Sequence, residues 1–366
     1  CIRDRYIAGP FGAIFFGHIG DRKGRKVTMY ASLLMMGIST SIIGILPPAA
    51  SAGVGVVIVL QLMRLAQCFG RGGTWGGGIL MAYENVPENK RSFYAAIPQI
   101  GLPIGFGLSS ILIAVPTLLL PEDIFFTWGW RIPFLAAIIL TVIVIRQKGE
   151  MMETEDYKKA QAKLEAEEAE GKKHKVGFIP MVKGYWKTLL LGCGTRWVDG
   201  TFYNIFIVWI LSYCINWLGM PLIQTYIITI IACIFKIPFT LFGGWCAQKL
   251  GNTRTFVIGA LASAVLSIPT LKVIELSKGN LAITIIGIVL GWSIAYNLIW
   301  AVISSLWSSY FETEVRYSGI SFVYHVPSFL VAGMVPTICT LLINYGKGDT
   351  IYVGIYSTVV ALISAA

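Results

Sequence analysis

Of 19 acidic residues, only Asp199 stands well inside an apolar stretch. Arg196 precedes it by three positions and Tyr203 follows by four, so on a helix all three share one face. An ionised group at mid-depth in a membrane costs several kcal/mol and marks a pathway for ions or solutes. A proton taken up by Asp199 would release Arg196, whose planar guanidinium suits a carboxylate and could then draw in an anion. Asp199 and Arg196 are therefore the candidate proton-coupling pair. The alternative is a permanent intrahelical ion pair that pins the helix.

A second polar set runs along 54–84, where Arg64, Gln67, Arg71 and Thr74 recur at three- and four-residue steps as one stripe on an otherwise apolar helix. Arg64, Gln67 and Arg71, with Tyr203, form the candidate substrate-binding set. Other candidates have bland alternatives. Lys236 lies close enough to the end of its block to snorkel towards the interface. Arg131, between Trp130 and Pro133, reads as an interfacial anchor, and His325 as hydrogen-bonded packing that could also titrate near neutral pH. Trp75, Tyr203, Trp209, Tyr296 and Trp300 line either a cavity or the packed interior.

Other chemistries lack their residues. The three His, at 18, 174 and 325, are scattered and supply no cluster of nucleophile, base or metal ligands. Seven Cys (1, 68, 193, 214, 233, 246, 339) fall mostly in apolar blocks without a Cys-x-x-Cys pair and read as small hydrophobes. No Gly-x-x-x-x-Gly-Lys loop is present to cradle a nucleotide, and the glycines of 70–78 sit within a membrane helix, where they favour close packing. No cofactor, no metal and no enzymatic activity are expected.

The elements that must position these residues are membrane helices. The chain is 55% hydrophobic and only 13% charged, about half the ~25% charge of a soluble domain. Its apolar blocks have the length that crosses ~30 Å of hydrocarbon as a helix. They predict eleven spans, at about 6–19, 27–46, 54–84, 92–115, 129–145, 187–214, 221–244, 255–274, 281–308, 317–344 and 350–366. Prolines inside them (Pro98, Pro103, Pro238, Pro269, Pro327, Pro336) predict kinked, closely packed helices. With the 20–26 loop placed in the cytoplasm, loops on that side carry 19 Lys and Arg, against 5 on the other. The net charge of +10 thus lies beside the spans, where its partner is an anionic lipid leaflet and not nucleic acid.

The longest polar stretch, 146–186, separates five spans from six and reads as a cytoplasmic linker. Its Lys and Glu at three- and four-residue offsets over 158–175 suit a solvated helix. The flanking segments echo each other. GHIGDRKGRK (17–26) aligns with GWCAQKLGNT (244–253), and ENVPENKRS (84–92) with YFETEVRYSG (310–319). Gly24 and Arg91 are 67 residues apart, Gly251 and Arg316 are 65 apart. The expected organisation is an N-terminal bundle over 1–145, the linker, and a C-terminal bundle over 187–366, two repeats of one design that rock around a central site.

The segment Gly17-x-x-Gly20-Asp21-Arg22-x-Gly24-Arg25-Lys26 resembles the signature loop between the second and third spans of major facilitator transporters. Arg64-x-x-Gln67, GGTWGGGILMAYENVP (72–87), PQIGLPIGFGLSS (98–110) and WGWRIPF (128–134) extend the resemblance to the metabolite:proton symporter branch, which includes carriers of shikimate, oxoglutarate, citrate, and proline or betaine. The chain departs from that pattern at Gly9, Cys68 and Thr74. The family's first span, with its coupling aspartate facing Arg64, is not found, so the resemblance implies 11 of 12 spans and a chain truncated at both ends. It implies an all-α polytopic fold of two pseudo-symmetric helix bundles. It also makes Asp21, Arg22, Arg25 and Glu84 a cytoplasmic gate, with Arg25 bridging Asp21 to Glu84 in one state and releasing them in the other. Gln248 stands where Asp21 does, so the second half should latch less firmly.

The expected function is secondary active transport in the plasma membrane by a monomer, coupling protons to a small organic acid or related metabolite by alternating access. The excess of in-span Arg and Lys over Asp points to an anion. An uncoupled facilitator or exchanger is the alternative. A channel is less favoured, because no filter-like run is present.

Overall fold

The computed structural model describes residues 2–48, 52–147, 153–169 and 178–366. Cys1, His174 and the linker segments 148–152 and 170–177 lie outside the described residues. Regular structure in the described residues is helical throughout. Hydrocarbon offers no partner to a free N–H or C=O, so each apolar segment satisfies its own backbone as a helix. In chain order the helices are α1 (Ile2–Lys23), α2 (Arg25–Ile45), α3 (Val54–Glu84), α4 (Arg91–Ala96), α5 (Gly101–Leu119), α6 (Glu122–Thr127), α7 (Ile132–Gln147) and α8 (Glu155–Ala169). There follow α9 (Phe178–Tyr203), α10 (Ile210–Asn216), α11 (Leu222–Leu250), α12 (Asn252–Leu276), α13 (Leu281–Ile288), α14 (Asn297–Ser309), α15 (Arg316–Tyr345) and α16 (Ile351–Ala365). Two π-helical segments, Asn204–Trp209 and Val289–Ala295, join α9 to α10 and α13 to α14.

Among the described residues nine helical stretches are long and apolar enough to cross a membrane. The remaining two expected spans coincide with α1, whose ends are charged, and with the shorter α16. Burial does not sort apolar from polar side chains as in a soluble protein. Val54, Leu119 and Val265 are exposed, while Thr240, Ser263, Ser293, Asn297, Ser304 and Ser305 are buried. Lipid is as apolar as these side chains, so packing relies on small residues and interhelical hydrogen bonds.

The residues fall into two compact units. One comprises Cys1–Asn85, Leu112–Leu189 and Ser308–Val326, the other Val86–Ile111, Leu190–Trp307 and Pro327–Ala366. In the first, α1, α2, α3 and α7 pack together. A Cβ on Gly73 would come 2.7 Å from the Phe16 ring, so only glycine admits this closeness of α1 and α3. In the second, α11 packs on α4, and α12 on α16. Asn280 caps α13 by accepting from the N–H groups of Ala282 and Ile283 at 3.1 and 3.3 Å.

Candidate functional site

In the first unit, Gly24 turns the chain between α1 and α2 with φ 104° and ψ 156°, a conformation open in practice only to glycine. The turn brings Arg25 back over the end of α1. Its guanidinium lies 3.4 Å from Asp21 and 3.4 Å from Glu84, the last residue of α3, and all three side chains are buried. Arg25 also donates to the carbonyls of Gly20 at 2.8 Å and Thr313 at 2.6 Å. The expected trio thus forms. The Arg22 side chain is exposed, and its carbonyl accepts from the Tyr157 hydroxyl.

The start of α15 and Arg316, which the repeat matches to Arg91, extend this cluster. The Asp21 carboxylate accepts from the backbone N–H groups of Tyr317 and Ser318 at 3.1 and 3.0 Å, so it caps the N-terminus of α15, where the helix dipole favours an anion. Arg316 reaches Glu84 at 3.0 Å and Asp156 at 3.8 Å. Burial pushes the Asp21 carboxyl up to about 6, against the opposing pull of Arg25 and the α15 donors.

Ahead of its charge run the linker also reaches this cluster: Glu153 accepts from the N–H groups of Arg25 and Lys26 at 2.9 and 3.2 Å, and the buried Thr154 hydroxyl donates to Glu84 at 2.6 Å. The Tyr157 ring lies 4.8 Å from the Arg25 guanidinium. The start of α2 exposes N–H groups that need acceptors, and the linker supplies them. Lys158, one turn further on, makes the solvated (i, i+3) pair with Glu155 at 3.0 Å that the pattern foretells.

The stripe on α3 lies in the same unit. Gln67 donates to Thr40 at 2.6 Å and Thr74 to the Gly70 carbonyl at 3.1 Å. Arg64 is exposed, 5.7 Å from the Phe134 ring, and Arg71 is half-buried. Arg131 bonds to the Leu46 carbonyl at 2.9 Å and covers Trp130, as an anchor would. His325 is buried edge-on to Tyr324, which stacks on Trp75 at 4.2 Å.

The second unit holds the Asp199–Arg196 pair. Asp199 is fully buried, ion-paired with Arg196 through one oxygen and accepting from the Tyr296 hydroxyl through the other. Arg196 also donates to Ser328 at 3.1 Å. The Tyr203 ring meets Phe106 edge-on at 6.1 Å. Trp300 joins α4 and α5, exchanging hydrogen bonds with Gln99.

Lys236 reverses its expected placement. It does not snorkel: it is 0% exposed, its ammonium 4.5 Å from the Trp292 and Tyr296 ring centroids and 5.9 Å from that of Trp300. Position along α11 could not tell the two outcomes apart, because the choice depends on the facing helix. The π-helical segments bear on both groups. One begins directly after Tyr203, the other contains Trp292, and the Phe206 ring of the first fills the space at Gly291 in the second. Such widened turns cluster at functional positions, and nothing in their composition announces them.

Chemically, the first unit holds a buried ionic cluster, and the second a buried carboxylate between a guanidinium and a phenol. Known proteins resemble this chain over most of its length. The family model for the Major Facilitator Superfamily matches residues 5–336. The inner membrane metabolite transport protein YhjE of Escherichia coli is 33% identical over 97% of this chain and 79% of its own length. The shikimate transporter of Escherichia coli is 30% identical, covering 98% and 81%. The proline/betaine transporter of Salmonella typhimurium is 28% identical, covering 98% and 71%. Among solved structures, the proton:xylose symporter XylE bound to 6-bromo-6-deoxy-D-glucose superposes with a TM-score of 0.77 at 17% identity, over 99% of this chain and 83% of that one, a likeness of fold.

Proposed function

Because the chain belongs to the major facilitator superfamily, a family of multi-pass membrane transporters and not of enzymes, we propose that it is a proton-coupled symporter of a small organic acid or related metabolite. The observation that carries this reading is the burial of Asp199 between a cation and a phenol. A carboxylate so enclosed can change its protonation only by exchanging Arg196 for a proton, which ties charge state to side-chain position. Relatives named for shikimate and for proline or betaine support a solute that bears a carboxylate.

In this reading Asp199 and Arg196 couple the proton, while Arg64, Gln67, Arg71 and Tyr203 contact the solute. Asp21, Arg25 and Glu84 latch the cytoplasmic side, reinforced by Arg316 and the linker. The bundles 1–145 and 187–366 rock about a midplane site in the plasma membrane, with 146–186 in the cytoplasm and the protein a monomer. The paired turns at Gly24 and Gly251, with φ 104° and 91° and ψ 156° and 155°, support the repeat. One observation favours a second reading, uncoupled exchange: both Asp199 oxygens already have partners, as in a permanent ion pair.

The test is uptake of radiolabelled shikimate, oxoglutarate, citrate and proline into proteoliposomes, with and without an inside-alkaline gradient, for wild type and Asp199→Asn. Saturable, gradient-stimulated uptake that the substitution uncouples is expected. Uptake indifferent to gradient and substitution would leave facilitated exchange.

A further inference from the structure

Lys236 is a buried cation without a carboxylate within ion-pair distance among the described residues. Among the described residues its ammonium makes one hydrogen bond, a long one of 3.4 Å to the Trp292 carbonyl. The rings of Trp292, Tyr296 and Trp300 surround it. Aromatic faces stabilise an ammonium but accept none of its protons in a full hydrogen bond. Neighbouring Thr240 and Asn297 bond to each other and to the Lys236 carbonyl, so they are engaged with its backbone and not with its charge.

A second donor stands beside it unmet. The Trp292 indole N–H is buried and finds no acceptor among the described residues. Since the Trp292 ring centroid is 4.5 Å from the Lys236 ammonium, the two donors share one small volume. An unsatisfied buried donor and an uncompensated buried charge are each costly, and natural structures keep such pairs together where something else completes them. A group that accepts from both at once, carries one negative charge and is flat enough to lie among three rings is a carboxylate. Trp292 lies within the π-helical segment Val289–Ala295, and that wider turn sets its position relative to Tyr296. Tyr296 in turn donates to Asp199, so the same ring that borders Lys236 touches the Asp199–Arg196 pair.

We infer that Lys236 and the Trp292 indole form an anion-binding subsite that receives the carboxylate of a small organic acid, joined through Tyr296 to Asp199. The inference rests on the transporter reading only in taking that acid to be the solute carried. On binding, the carboxylate accepts hydrogen bonds from the ammonium and the indole, and the Trp292 carbonyl gives up its long bond. Asp199 keeps its own counter-ion and needs no rearrangement for this step.

Binding is read from thermal unfolding of the purified protein in the presence of shikimate, proline and glycine betaine, with xylose as the neutral probe. At least one carboxylate should stabilise the wild type saturably, and xylose should not through this subsite. Lys236→Met should weaken the apparent affinity ~10- to 100-fold, the loss expected for a charge-assisted bond, with Lys236→Arg restoring part and Trp292→Phe losing less. Without ligand, Lys236→Met should unfold at the same temperature as wild type or higher, because it removes an uncompensated charge. A structural cage gives the opposite: lower stability of Lys236→Met without ligand and an unchanged ligand response. That result overturns the subsite, as does a wild type that answers no carboxylate. Uptake then separates the two readings. Carboxylate uptake with a KM unmoved by Lys236→Met overturns the subsite and leaves transport standing. Binding through Lys236 with no uptake of any probe leaves the subsite and overturns transport.

Discussion

The turns at Gly24 and Gly251 share one backbone and differ in their charge. Each glycine has positive φ and an extended ψ, and each carbonyl accepts from the N–H and hydroxyl of a threonine four residues on, Thr28 at 3.4 and 3.0 Å and Thr255 at 3.2 and 2.9 Å. Asp21 in one unit accepts from N–H groups at the start of α15, and Gln248 in the other accepts from Phe93 at the start of α4 at 3.3 Å. From there the regions part. Arg25 bridges two buried carboxylates, whereas Asn252, in the corresponding place, accepts a neutral bond from Ser305 at 2.9 Å. The backbone sets where the chain turns; the side chains set what opening the turn costs. If the first region acts as the proposed gate, its buried charges need partners in both states, a demand the neutral second region does not share.

The difference is broken most forcefully at its centre. Arg25→Met leaves Asp21 and Glu84 facing each other as buried charges, with Arg316 serving only the second. Removing one partner from a buried ion pair costs ~3–5 kcal/mol, and the neutral exchange Asn252→Ala only ~1 kcal/mol. Thermal unfolding in detergent should therefore drop sharply for the first and slightly for the second. Equal drops would mean that the ionic cluster is no more than its neutral counterpart.

The shared backbone gives the next effect. Alanine at either glycine must adopt a conformation that costs ~1–3 kcal/mol, so Gly24→Ala and Gly251→Ala should share that loss. A Cβ at Gly251 would meet open space, but at Gly24 it would collide with the Glu153 carboxylate. Gly24→Ala should therefore cost more, and adding Glu153→Ala should bring the two variants closer. If they match without it, the linker does not press on the turn.

The sequence could reveal the turns and not their surroundings, for physical reasons. The apolar blocks are legible because hydrocarbon demands them, and Gly24 because few residues tolerate its backbone. Arg25 falls four residues from Asp21, within reach on sequence alone. Glu153 and Thr154 were hidden because they stand more than a hundred positions from Arg25 and Lys26, and no periodicity links them. Arg316 left a trace, its match to Arg91 in the repeat, which marked a helix start without saying what capped it. Tyr296 lies 97 positions from Asp199, and no periodicity spans that separation. Lys236 and the π-helical turns follow from packing between helices, which a single sequence does not encode locally.

The smallest effect is the titration that separates Asp21 from Gln248. Burial raises the Asp21 carboxyl from its usual 3.8 to about 6, so the folded protein holds its proton more tightly than the unfolded chain does. Between those values the folded state binds more protons, and stability falls as pH rises from about 4 to about 6. Below that window the contribution is fully present; above it the carboxylate is ionised and relies on Arg25 and the α15 amides. Asp21→Asn should remove this pH dependence, and Gln248→Ala, which touches no titrating group, should leave it in place. Unfolding temperatures of the three proteins between pH 4 and pH 7 decide the matter. A wild-type slope that survives in Asp21→Asn overturns the assignment to Asp21. A slope lost only in Asp21→Asn assigns this window to Asp21, whose protonation favours the folded state, while the neutral turn at Gly251 stays indifferent to pH.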